Sequence, residues 1–162
     1  MKKVLFICSL IVFLSCSKRN ETEFSQKALE DTFVSMDGVS LTFKDVIKKY
    51  KGKKVVIDVW ATWCRDCIKG MPKIVQLQND FPDVVFLFLS IDNSLEVLQK
   101  GIKKYNVNGE HYLMPSGWDG EFGEFLDLSW IPRYLVIDEQ GKIVVFNAIK
   151  ANDTRILSAL EH

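Results

Sequence analysis

Two cysteines set three positions apart, Cys64 and Cys67, are the residues of this chain best suited to chemistry. The thiolate form of cysteine is a nucleophile and exchanges with disulfides. A bond across Cys-x-x-Cys closes too small a loop to stabilise a fold much, so the pair reads as a working disulfide rather than a structural staple. Cys64 follows the run Val55 to Trp60 and precedes a helical pattern, which places its sulfur where a helix begins. Unsatisfied backbone N–H groups and the positive end of the helix dipole both favour thiolate there. A free thiol of pKa about 8.5 is only a few per cent ionised at neutral pH; one tuned to about 7 would be half ionised. Cys64 is therefore the candidate attacking nucleophile. Cys67, one turn on and facing inward, is the candidate for resolving the mixed disulfide. The alternative, two ligands of a zinc site, finds few further donors, since the histidines are His111 and His162 alone.

Asp58 stands in an otherwise apolar strand six residues before Cys64. Burial there would disfavour its charged form and raise its pKa; a partly exposed strand-end aspartate is the alternative. Between the cysteines, Arg65 should lower the pKa of Cys64, whereas Asp66 should oppose thiolate formation. Trp60, Trp63 and Trp130 could form an apolar rim, with plain core packing the other reading for Trp60. His111 is expected to be structural or at the surface.

The elements that must position these residues can be read along the chain. It has 162 residues, 48% hydrophobic, with 21 Lys+Arg against 21 Asp+Glu. That length suits one domain with a real core, and the absent basic excess argues against nucleic acid as a partner. At the N-terminus, Lys2 and Lys3 precede eleven residues, Val4 to Leu14, apolar except for Ser9. A spanning helix needs roughly 20, so residues 1–15 read as a signal peptide. Ser15-Cys16 after Phe13-Leu14 resembles the lipobox of bacterial lipoproteins, although Phe13 stands where an aliphatic residue is usual. The resemblance implies a lipidated Cys16 anchored in a membrane of the cell envelope, facing the periplasm. Ser17 rather than Asp points to the outer membrane. The alternative is an ordinary secreted protein with a spare thiol at Cys16. Residues 16–28 then form the lipidated start and a polar tether, and the domain occupies residues 29–162.

Within that domain, Phe33 to Phe43 reads as a hairpin turning at Asp37-Gly38. Thr42 begins a short helix as a capping box with Asp45. Val55 to Trp60 and Val84 to Leu89 read as buried strands. A helix from Cys64 to Asp80 carries Ile68, Met71, Ile74, Val75, Leu77 and Phe81 as its apolar stripe and should kink at Pro72. A helix over 94–105, an extended piece over 111–114, a glycine-rich loop and a short helix follow. Strands 133–138 and 142–146 make a second hairpin, and a last helix buries Ile156, Leu157 and Leu160. This order implies an α/β fold, with a mixed central sheet and helices on both faces.

The stretch Ile57-Asp58-Val59-Trp60-Ala61-Thr62-Trp63-Cys64-Arg65-Asp66-Cys67 closely resembles the active-site segment of the thioredoxin superfamily. The leading hairpin, Tyr50-Lys51-Gly52-Lys53 and the insertion between Asp92 and Trp130 are similar to its TlpA/ResA-like extracytoplasmic branch. Ile131-Pro132-Arg133-Tyr134-Leu135-Val136-Ile137-Asp138 resembles the cis-proline strand. The resemblance implies a thioredoxin-like fold with an N-terminal hairpin extension and an insertion ahead of a cis Pro132. It implies a redox disulfide between Cys64 and Cys67, Asp58 as proton acceptor for Cys67, and Ile131 pairing its backbone with a bound client. Trp63, Arg65, Asp66, Ile131 and Pro132 become the candidate client-binding residues. Asp58 stands where many members of the branch have Asn, Asp66 where Pro is usual, and Phe88 where thioredoxins often have a lysine.

The implied activity is an envelope thiol–disulfide oxidoreductase, without cofactor, reducing disulfides in partner proteins and recharged by an upstream thiol donor. The alternatives are an oxidase or isomerase using the same residues, and a redox-inactive binding lipoprotein, for which a lost cysteine would be expected. A cysteine hydrolase would need a histidine base beside Cys64, and none is evident.

Overall fold

Residues Val55–Trp60 are buried without exception, so the strand they form is covered on both faces. It is the centre of the molecule in the computed structural model, which describes residues 21–162. The chain order is α1 (Gln26–Glu30), β1 (Thr32–Ser35), β2 (Ser40–Thr42), α2 (Phe43–Lys48), β3 (Val55–Trp60), α3 (Arg65–Asp80) and β4 (Val85–Ser90). There follow α4 (Leu95–Tyr105), β5 (Glu110–Leu113), a 3-10 turn (Gly117–Asp119), α5 (Glu121–Phe125), β6 (Arg133–Ile137), β7 (Ile143–Ala148) and α6 (Thr154–Glu161). The strands form one mixed sheet in the order β2-β1-β5-β4-β3-β6-β7. β3, β4 and β5 run parallel, while β6 and the N-terminal hairpin join antiparallel. This is the thioredoxin-like architecture that the sequence implies, with the hairpin added at one edge and α5 inserted before β6. None of the described helices is long and apolar enough to cross a membrane.

Local chemistry explains most element ends. Thr42 accepts the Asp45 N–H and caps α2, Ser94 accepts the Val97 N–H and caps α4, and Asp153 caps α6. α3 continues through Pro72 to Asp80.

Several expectations need correction. The first hairpin turns on three residues, Met36-Asp37-Gly38, because the Ser35 N–H donates to the Val39 carbonyl at 2.9 Å. Gly38 supplies the positive φ of +85° that such a loop requires. Val75 and Leu157 are exposed, at 44% and 40%, because each lies a step beyond the stripe that its helix buries. Phe24 and Ala28, expected in the tether, are packed: Phe24 lies 4.9 Å from the Phe43 ring and 5.5 Å from Phe125, and Ala28 is fully buried. An aromatic ring embedded in a polar segment was the overlooked signal. The signal segment and Cys16 lie outside the described residues.

Candidate active site

The end of β3 and the start of α3 build the site. Cys64 is the N-cap of α3, and its sulfur receives the Cys67 N–H at 3.1 Å. That donor is one of the unsatisfied amides of a helix start, and it would stabilise a thiolate at the same place. Cys64 and Cys67 are joined as a disulfide of 2.03 Å. Cys64 retains 6% exposure and Cys67 none. Both cysteines are therefore buried, Cys64 the less completely of the two. The carbonyl oxygen of Ile131 lies 3.7 Å from the Cys64 sulfur, and the Ile131–Pro132 peptide is cis.

The approach to α3 is held by a residue that sequence reasoning overlooked. Buried Asp92, in the loop after β4, accepts the Thr62 N–H at 3.1 Å and the Thr62 hydroxyl at 2.8 Å. Ser90 donates to the same carboxylate at 2.8 Å. From α4, Gly101 closes the contact: an added Cβ would lie 2.0 Å from Thr62 Cγ2. Parallel neighbours end on the same side of a sheet, so the polar residue just past β4 meets the end of β3 only once the two strands have paired.

Asp58 is 2% exposed, flanked in register by Phe88 of β4 and Tyr134 of β6. Neither carboxyl oxygen has a hydrogen-bond partner among the described residues. Burial pushes its pKa well above the usual carboxylate range. Trp63 and Trp130 stand out at 57% and 59% exposure, but Trp60 is fully buried with its ring edge toward Phe88, so it belongs to the core rather than a rim. Arg65 and Asp66 are exposed, and Asp66 lies 3.8 Å from Lys69. His111 is buried, stacked on Phe88 with its Nε2 at 3.0 Å from the Val107 carbonyl, and burial lowers its pKa. A groove of about 470 Å³ runs beside α3, lined by Asp66, Lys69, Trp130, Pro132, Tyr134 and Ile149 among others.

Comparison with known proteins adds the family. The model of the Redoxin family matches residues 25–158. The chain belongs to the Redoxin family. It is 26% identical over 143 residues to a thiol-disulfide oxidoreductase ResA of Bacillus cereus, covering 86% of this chain and 76% of that one. It is 27% identical over 161 residues to a thiol:disulfide interchange protein DsbE of Yersinia pestis, covering 93% and 82%. The solution structure of a putative thiol-disulfide oxidoreductase from Bacteroides vulgatus superposes with a TM-score of 0.67 at 26% identity, over 85% of this chain and 88% of that one. This Redoxin-family chain is a thiol–disulfide oxidoreductase. In it the disulfide, the Ile131 carbonyl and the cis proline are brought together at one end of the sheet.

Proposed function

We propose that the protein reduces disulfides in client proteins of the cell envelope, held there by a lipid on Cys16 after removal of residues 1–15. The observation that carries this reading is a Cys64–Cys67 disulfide whose outer sulfur caps a helix and faces the Ile131 carbonyl. In the reduced chain the Cys64 thiolate attacks one sulfur of the client disulfide, and the other client sulfur leaves as thiolate. The client strand lies along Ile131 and Pro132, with Trp63, Arg65 and Asp66 at the edge of contact. Asp58 takes the proton of Cys67. The Cys67 thiolate then attacks Cys64, forming the intramolecular disulfide and releasing the second client thiolate. Two electrons have passed to the client, and an upstream dithiol restores the protein.

Cys64→Ser is expected to abolish exchange, and Cys67→Ser to accumulate a mixed disulfide with the natural client that survives non-reducing gels. A reduction potential measured against glutathione decides the direction: a value below the envelope poise supports a reductase. A value well above it would instead favour an oxidase. If Cys67→Ser traps no client and Cys64 alkylates no faster than a free thiol, the reading fails. Labelling with palmitate, lost in Cys16→Ser, tests the anchor.

A further inference from the structure

The groove beside α3 is walled on one side by Asp66, Lys69 and Lys73, whose spacing of three and then four residues puts them on one helix face. Ile149 and Lys150, in the connection from β7 to α6, form the other side, and Trp130 and Pro132, ahead of β6, complete it. Ala148 pairs with Tyr134 in the β6–β7 ladder, which sets Ile149 and Lys150 beside the start of β6. Two lining residues tie the groove to the disulfide through the chain. Asp66 precedes Cys67, and Pro132 follows Ile131, whose carbonyl lies 3.7 Å from the Cys64 sulfur. Trp130 and Ile149 are 59% and 55% exposed, large apolar side chains left to water. With them stand three lysines against one carboxylate, on a chain whose formal net charge is zero. That carboxylate, Asp66, lies 3.8 Å from Lys69, and Lys73 is engaged by Gln76 at 3.0 Å. Lys150 is exposed and has no ion pair or hydrogen bond among the described residues.

Exposed apolar surface beside an excess of positive charge is complementary to a peptide carrying an apolar side chain and a carboxylate. We propose that this groove selects clients, holding the chain that flanks the client's reactive cysteine and preferring an acidic residue beside an apolar one there. The proposal rests on the reading of the protein as a reductase that attacks clients through Cys64. Trp130 and Ile149 receive the apolar side chain, and Lys150 with Lys69 the carboxylate. Reach sets where those residues fall in the client. From Asp66 to Lys73 the α3 wall runs about 10 Å at a rise of ~1.5 Å per residue. An extended chain covers that in about three residues. The acidic and apolar residues therefore stand within about four positions of the client cysteine. Backbone pairing along Ile131 is blind to client side chains, so the groove is where one exposed disulfide is told from another. Charge complementarity of this exposed kind speeds encounter and is screened by salt.

The test uses the reduced full-length protein and short peptides whose single cysteine is joined to 2-thiopyridine. The Cys64 thiolate attacks the peptide sulfur, the pyridyl disulfide breaks, and the departing pyridinethiolate takes up a proton and is read by its absorbance. The peptides carry Glu, Gln or Lys, beside Leu or Ala, two to four positions to either side of the cysteine. At low salt the Glu-Leu peptide is expected to react about fivefold faster than its Gln counterpart and faster still than the Lys one, with the difference shrinking in ~0.5 M salt. Lys69→Gln with Lys150→Gln should abolish the preference for Glu, and Trp130→Ala the preference for Leu; all three side chains are exposed, so the core is left as it is. Lys44→Gln with Lys103→Gln removes the same charge from exposed sites outside the groove and should keep the preference. Peptides that all react quickly and alike, or a preference lost equally in the Lys44 and Lys103 pair, overturn the groove while the reductase reading stands. Peptides that all react no faster than with a free thiol remove both. A free protein that sediments as a dimer, and as a monomer in Trp130→Ala, makes a second copy the occupant and overturns the proposal.

Discussion

At the scale of single residues, Asp58 is a buried carboxyl with no hydrogen-bond partner among the described residues, a state that titration can test. Its pKa lies well above the ordinary 3.8 because burial penalises the charged form. Above that ordinary value the folded chain keeps a proton that the unfolded chain has released. Stability therefore falls as pH rises from about 4 through the native pKa and levels off beyond it. Asp58→Asn removes this dependence. Urea unfolding of the oxidised protein is expected to show the variant gaining on the parent with rising pH, by about 1.4 kcal/mol for each unit of upward displacement. Midpoints that run parallel across the range would mean that Asp58 is not held protonated. The same substitution is expected to slow client resolution while sparing Cys64 alkylation, since Cys64 draws on the start of α3 rather than on Asp58.

At the scale of elements, the loop from β3 to α3 is clamped by its neighbours. Asp92→Ala would leave the Thr62 N–H, the Thr62 hydroxyl and the Ser90 hydroxyl without their acceptor. A loss of about 2–4 kcal/mol is expected by denaturant unfolding, with a changed pH dependence of Cys64 alkylation as the loop relaxes. Gly101→Ala presses its methyl onto Thr62, at 2.0 Å from Cγ2, and should cost about 1–3 kcal/mol. Thr62→Ser deletes Cγ2 and keeps the hydroxyl that Asp92 receives, so the double variant should recover part of that loss. Strict additivity would show that the two residues do not touch in solution. The elements themselves were largely legible: apolar runs marked β3 and β4, and Thr42 marked the start of α2. Val75 and Leu157 were misplaced because helical periodicity gives the apolar stripe but not where its edge meets the sheet.

At the scale of the whole molecule, the N-terminal segment and the insertion complete one core. Phe24, Phe33, Phe43, Phe122 and Phe125 come from four separate segments, and Phe24 stacks on Phe122 at a centroid distance of 6.0 Å. Phe24→Ala is expected to cost about 2 kcal/mol by thermal unfolding, below the figure for a fully buried ring because Phe24 is half-buried. The disulfide adds little to this framework, since its loop is so short that chain entropy allows it about 2 kcal/mol at most. Excess dithiothreitol should therefore leave the far-ultraviolet circular dichroism unchanged. A collapse of the fold on reduction would recast the bond as a staple and not a working pair.

The nucleophile, its partner and the helix they begin are visible in the sequence because they are local: a strand, a short turn and two cysteines three positions apart. The buried state of Asp58 was also foreseeable, from the apolar residues on either side of it. Asp92 and Tyr134 could not be placed this way, because each meets its neighbour across strands that lie far apart along the chain. Only the sheet order, with β4 and β6 flanking β3, brings Asp92 to Thr62 and sets Tyr134 opposite Asp58. Spacing along a chain specifies hydrogen bonds within a turn, but a partner contributed by another strand exists only once the register has formed.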